Sequence, residues 1–171
     1  AADLIALDAI TTGTIDLVHN HGGVGANPSL AGSAADLATV IASASITGTG
    51  DAVIDVTDTG AVSLAHLKAL DDGSTGKVTA DNFTSAFGSI ADAKHIYQTA
   101  ATGAFVGEGN EDVIINDLIV DAALLDDFTT GNGNTNAPFT DGQITVTSSA
   151  ISGDLAVVQK MLNNSALNTT V

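Results

Sequence analysis

The sequence predicts an α/β fold, built as a parallel β-α solenoid of three superrepeats of roughly 60 residues. Three observations lead there. Amphipathic helical segments recur at matched spacing, short β-branched runs lie between them, and the connections are shorter than typical crossovers of a doubly wound sheet. An open, layered α/β domain with helices on both sheet faces is the alternative, and its strands would be apolar throughout. "TIDLV" near residue 14 and "VIDVTD" from Val53 instead alternate aspartate with β-branched residues and so keep a polar face.

Taken in order, the helices form two interleaved classes. "LIALDAITTGTIDL" from Leu4 and "LKALDDGSTGKVTA" from Leu67 share Leu, Ala-Leu-Asp, Thr-Gly and a β-branched residue at equal spacing, so each helix ends in a Thr-Gly turn that feeds a strand. "DAALLDDF" from Asp121 is a weaker third copy, followed by the insert "TTGNGNTNAPFTDG". "SAADLATVIASA" from Ser33 and "SIADAKHIYQTA" from Ser89 form the second class. Each has Ser at the N-cap and Asp three residues later, a variant of the capping box. Leu37, Val40, Ile41 and Ala44 then coincide with Ala93, Ile96, Tyr97 and Ala100 as one buried face, and Asp154 caps a third copy whose buried face carries Val158, Met161 and Leu162. Strands are expected near 14–18, 53–57, 77–80, 113–117 and 143–147. One repeat domain, 1–171, thus divides into superrepeats 1–60, 61–118 and 119–171. "HNHGGVGANPS" is then an insertion in the first copy that projects from one face. The first copy opens inside a helix and the last runs out in "NNSALNTTV", with nothing that reads as a polar capping repeat, so the ends are expected to be completed by neighbouring repeats or other copies.

Composition narrows the function. Hydrophobic residues make up 44% and aromatics only 4%, so the chain folds around a core of Ala, Val, Ile and Leu. The net charge of −16, with four Lys and Arg together, makes nucleic acid and anionic membrane surfaces poor partners. Cysteine is absent, which excludes disulfides and thiolate metal sites, and no run of eighteen apolar residues could insert in a membrane.

The segments Gly32–Leu37, Ile46–Ala80 and Gly88–Tyr97 resemble the Thr, Ala, Gly and Asp-rich tandem repeats of very large secreted bacterial surface proteins, of the cyanobacterial cell-surface and RTX type. The resemblance covers most of the chain. It implies an extracellular or cell-surface location and a structural or adhesive role with calcium nearby, and it carries no catalytic residues.

Candidate chemistry lies in three places. "HGGVGANPSL" matches the RTX calcium nonapeptide at Gly22, Gly23 and Gly25, but Asn27 stands where the ligand Asp belongs and Ser29 where an apolar residue belongs. His19 and His21 could place two imidazoles on one side of an extended segment, as a zinc or copper pair that lacks a third ligand; loop histidines are more often simply solvated. His66 and His95 lie on helices without an i, i+4 ligand partner. Asp16, Asp55, Asp58, Asp117 and Asp121 recur at strand ends, and Asp55, Asp58, Asp117 and Asp121 are the candidate calcium ligands, an acidic ladder formed if the coils align. The competing role for Asp58, Asp121 and Asp154 is helix capping. "GEGNED" (107–112) is the densest other oxygen cluster. No nucleophile elbow, phosphate loop or HExxH occurs, so no enzyme is expected. The expected function is a structural, self-assembling extracellular repeat protein that associates end to end, with copies of itself or neighbouring repeats as partners. A calcium-dependent adhesion module is the alternative.

Overall fold

The computed structural model describes residues 1–17, 27–100, 104–107, 109–130, 140, 142–164 and 167–169. Helices form where the apolar spacing puts them: α1 (Ala2–Ile10), α2 (Ala34–Ala42), α3 (Leu64–Gly73), α4 (Ile90–Ala100), α5 (Ala122–Thr130) and α6 (Leu155–Leu162). Each packs against the next helix along the chain. Of the expected faces, Leu37 and Val40 of α2 and Ala93, Ile96 and Tyr97 of α4 lie in a single core, which also takes Leu64, Leu67 and Leu70 of α3. Two positions differ. Ala44, expected on the buried face of α2, is exposed, because the helix ends at Ala42. Leu162, expected on the buried face of the last helix, is 58% exposed, whereas Met161, expected beside it, is fully buried. Helix α6 packs on α5 and β13, and no later helix follows it among the described residues.

Among the described residues, thirteen short strands accompany the helices: β1 (Ile15–Asp16), β2 (Ser29–Gly32), β3 (Ile46–Thr47), β4 (Val53–Val56), β5 (Ala61–Ser63), β6 (Val78–Thr79), β7 (Ser85–Gly88), β8 (Phe105–Val106), β9 (Asp112–Ile115), β10 (Ile119–Asp121), β11 (Ile144–Val146), β12 (Ala150–Ser152) and β13 (Leu167–Thr169). They form several small parallel sheets, in the orders β1-β3, β2-β4-β6-β8, β5-β7-β9-β11-β13 and β10-β12. Each pair joins strands 23 to 31 residues apart in sequence. The pattern itself recurs. The pairs β1-β3, β2-β4, β4-β6 and β5-β7 are matched about 60 residues later by β6-β8, β7-β9, β9-β11 and β10-β12. Alternation along β4 follows its sequence: Ile54 and Val56 are buried, while Val53 and Asp55 face outward.

The five expected strands are present, and those such as β2, β7 and β12 were not legible. Ser29–Gly32, Ser85–Gly88 and Ala150–Ser152 are poor in β-branched residues, and their extended form comes from the ladder with a neighbouring strand rather than from propensity.

Helix starts tie adjacent layers together. Ser33 Oγ accepts from the Asp36 amide at 3.1 Å, and Ser89 Oγ accepts from the Asp92 amide at 3.0 Å, as the capping pattern requires. A second cap comes from a distance. Asp58 Oδ2 accepts from the Ala34 amide, 24 residues earlier, and Asp117 Oδ2 accepts from the Ile90 amide, 27 residues earlier, each at 2.7 Å. A carboxylate at a helix N-terminus satisfies an orphan amide and meets the positive end of the dipole. Asp58→Ala and Asp117→Ala are each expected to cost about 1–2 kcal/mol in urea unfolding, more than Asp55→Ala on the outward face of β4; equal effects at the three positions would contradict this role.

The Thr-Gly turns carry a second recurring device. Buried Ser74 donates its hydroxyl to the Ala52 carbonyl at 2.8 Å and accepts from the Gly76 amide at 3.0 Å. Buried Thr140 repeats this, donating to the Glu111 carbonyl at 2.7 Å and accepting from the Gly142 amide at 3.0 Å. Thr140 and Gly142, assigned from sequence to the end of the insert after α5, therefore belong to the repeat turn.

Candidate functional site

Among the described residues, potential metal ligands come together at Asp71 and Asp72, near the end of α3, and His95 of α4; one ligand atom from each lies within 4.8 Å of the others. His95 Nε2 is 2.8 Å from Asp71 Oδ2 and 3.6 Å from Asp72 Oδ1. The side chain of Asp71 is 15% exposed, that of His95 35% and that of Asp72 53%. Lys68, one turn before Asp72, pairs with its carboxylate. That contact holds the Asp72 carboxyl below its ordinary value and raises the Lys68 ammonium above its own. One imidazole nitrogen and two carboxylates suit a borderline divalent ion such as zinc. Without an ion the same atoms form a carboxylate–imidazole contact that links α3 to α4, with Lys68 competing for Asp72.

This grouping was missed in the sequence because its members sit 24 residues apart on adjacent helices. The signal available was the repeat spacing, since Asp58 and Ala34 are joined over the same separation.

The acids expected to bind calcium are placed differently from one another. Asp58 and Asp117 cap α2 and α4, and Asp121 accepts from the Ala123 and Leu124 amides at the start of α5. Asp55 lies on the exposed face of β4. These four are not gathered into one group of ligand atoms in the way Asp71, Asp72 and His95 are. Asp154 caps α6 through the Ala156 amide. His19 and His21 lie outside the described residues.

The oxygen-rich stretch at 107–112 holds a buried acid. Glu111 is 2% exposed; its Oε2 accepts from the Gly109 and Asn110 amides, and its Oε1 has no hydrogen-bond partner.

No family model, curated protein or solved structure matches this chain.

Burial pushes the Glu111 carboxyl above its ordinary value, against the backbone amides of Glu111, Gly109 and Asn110 that lower it. The folded state therefore holds this proton more tightly than the unfolded state. Stability contributed here is present at low pH and is lost as pH rises from about 4.5 through the raised folded value. Glu111→Gln, which stays neutral, is expected to show a smaller loss of urea resistance between pH 4 and pH 7 than the parent; an unchanged loss would contradict the assignment.

Outside these groups, a shallow groove of about 610 Å³ lies against α2, lined by Ala35, Ala38, Ala42 and Ala69 together with Asp8 and His66. Large apolar side chains are exposed on the first and last helices, with Leu7 45% and Ile10 81% exposed on α1, and Leu155 71% and Leu162 58% exposed on α6. No helix among the described residues is long and apolar enough to cross a membrane.

Proposed function

We propose that this chain is a structural repeat module of the bacterial exterior, a β-α solenoid whose coils stack in line and whose ends associate with further coils to build fibres, layers or stalks. The observation that carries this reading is the recurring register. Each described strand pairs in parallel with one roughly a coil away in sequence, and the pairing pattern returns after about 60 residues. Such a structure has no intrinsic end, because each coil offers its successor the strand edges and apolar helix face that it used itself. The apolar residues open on α1 and α6 support end-to-end contact. The charge of −16 supports a protein that stays soluble while its apolar ends associate. The extracellular assignment rests on the likeness to tandem surface repeats.

Sedimentation velocity over a concentration series, with electron microscopy of the same samples, tests the association. Linear oligomers that lengthen with concentration are the expected result, and a strict monomer at millimolar concentration would sink it.

A calcium-dependent adhesion module is the second reading, favoured by the unpartnered Oε1 of Glu111 within the 107–112 stretch. Calcium would then raise the melting temperature of the parent and leave Glu111→Gln unmoved. No shift in the parent excludes it.

A further inference from the structure

We infer that the face of α1, β1 and β2 turned away from α2 is a docking surface for a coil of the class formed by residues 34–63. This rests on the solenoid reading and names the partner of one end. The turn after α1 keeps a docking device that has nothing to act on. In Ser74-Thr75-Gly76 and Thr140-Asp141-Gly142 the first hydroxyl holds the carbonyl of Ala52 or Glu111. A Cβ at Gly76 would stand 2.0 Å from the Ala52 oxygen, and one at Gly142 would stand 2.1 Å from the Glu111 oxygen. Thr11-Thr12-Gly13 has the same pattern in the same place, between α1 and β1, yet a Cβ at Gly13 would meet nothing within 4 Å. Hydroxyl and glycine are both present, and the carbonyl they fit is missing.

The helix and the strands agree. Leu4 and Leu7 occupy the register of Leu67 and Leu70 in α3, which are fully buried, whereas Leu7 is 45% exposed. Strands β6 and β7, the counterparts of β1 and β2, are each paired on both sides, while β1 pairs with β3 and β2 with β4. The segment that covers α3, β6 and β7 in this way is residues 34–63, which supplies α2, the Ala52 carbonyl, β4 and β5. The seam is already shaped for it. The Ala1 nitrogen donates to the Ala31 carbonyl at 2.8 Å, and Gly32 lies against Ala1 as Gly88 lies against Leu64, the residue that directly follows Ser63. One difference sets a requirement on the partner. Gly73 makes room for Ile41 of α2, but Ile10 stands in its register, so the docking coil needs a small residue at the position of Ile41.

The test is an extended chain in which a copy of residues 34–63, carrying Ile41→Ala, is joined directly to Ala1. Docking is expected to raise the melting temperature by at least about 5 °C and to make Leu7→Ala, mild in the 171-residue chain, clearly destabilising in the extended one. Gly13→Val provides the discriminating comparison. It is expected to leave the 171-residue chain within about 1 °C of the parent and to remove most of the gain in the extended one. An added segment that is trimmed by protease without a change in melting temperature would overturn the inference, as would Gly13→Val acting equally in both chains. Docking of the added coil by a chain that sediments as a monomer would keep this surface and reject self-association. Oligomers that persist when Gly13→Val has blocked the surface would keep self-association and place its contact elsewhere.

Discussion

Gly76→Ala and Gly142→Ala are expected to destabilise the protein by at least about 2 kcal/mol each, while Gly13→Ala stays within about 0.5 kcal/mol of the parent. Helix or turn propensity does not distinguish the three, since each follows a helix and opens a strand in the same pattern. None has the left-handed backbone that favours glycine, so no conformational strain is added by a methyl group. Close approach of backbone is the difference. The added carbon falls 2.0 Å from the Ala52 oxygen at Gly76 and 2.1 Å from the Glu111 oxygen at Gly142, well inside contact distance, and both oxygens are main-chain atoms directly before a strand, β4 or β9. Relief requires the turn to move away, which would also stretch the buried bond from Ser74 or Thr140 to the same carbonyl. Urea unfolding of the three variants decides it; equal losses at all three would mean that these glycines act through the unfolded chain.

Phe128→Ala is expected to cost about 3–5 kcal/mol, and Leu7→Ala less than about 1 kcal/mol. Phe128 and Leu7 occupy corresponding positions in their helices, on the face that would meet a preceding helix. Phe128 is fully buried and meets Tyr97 of α4 edge to face, with ring centroids 5.5 Å apart and planes inclined at 71°. Truncation removes the apolar contacts of the ring and leaves a cavity between α4 and α5, in a core with few other aromatic residues to relax into the space. At 45% exposure Leu7 has already kept part of its surface in water, so less is lost. Thermal unfolding should show a drop of roughly 10 °C for the first substitution and little for the second. A large effect at Leu7 in the isolated chain would mean that this face is already covered.

Much of this was legible from sequence, and the reasons are local. Ser33 and Ser89 announce helix starts because a hydroxyl one position before the first turn reaches an amide three residues on, a relation contained within four residues. Leu37 and Val40 announce the buried side of α2 because helical periodicity brings them together regardless of what they pack against. Asp71 and His95 could not be paired in this way. Their contact depends on how α3 and α4 lie side by side, and neither helix carries a local mark of it. The calcium ladder shows the same limit from the other side. Spacing lined up Asp58, Asp117 and Asp121 at strand ends and left helix capping as the competing role for Asp58 and Asp121; only the fold revealed that Asp117 caps as well, and which helix each carboxylate meets.

By itself the sequence determined the alternation of helices and strands, the faces that α2 and α4 bury and the serine caps at their starts, all of which follow from chemistry within a few residues. Tertiary structure alone decided which strand lies beside which, that Asp58 and Asp117 cap helices in an adjacent layer, and that Gly76 and Gly142 are required where Gly13 is not. Those facts belong to contacts between segments a coil apart, where the energy of a residue is set by what the neighbouring coil places against it.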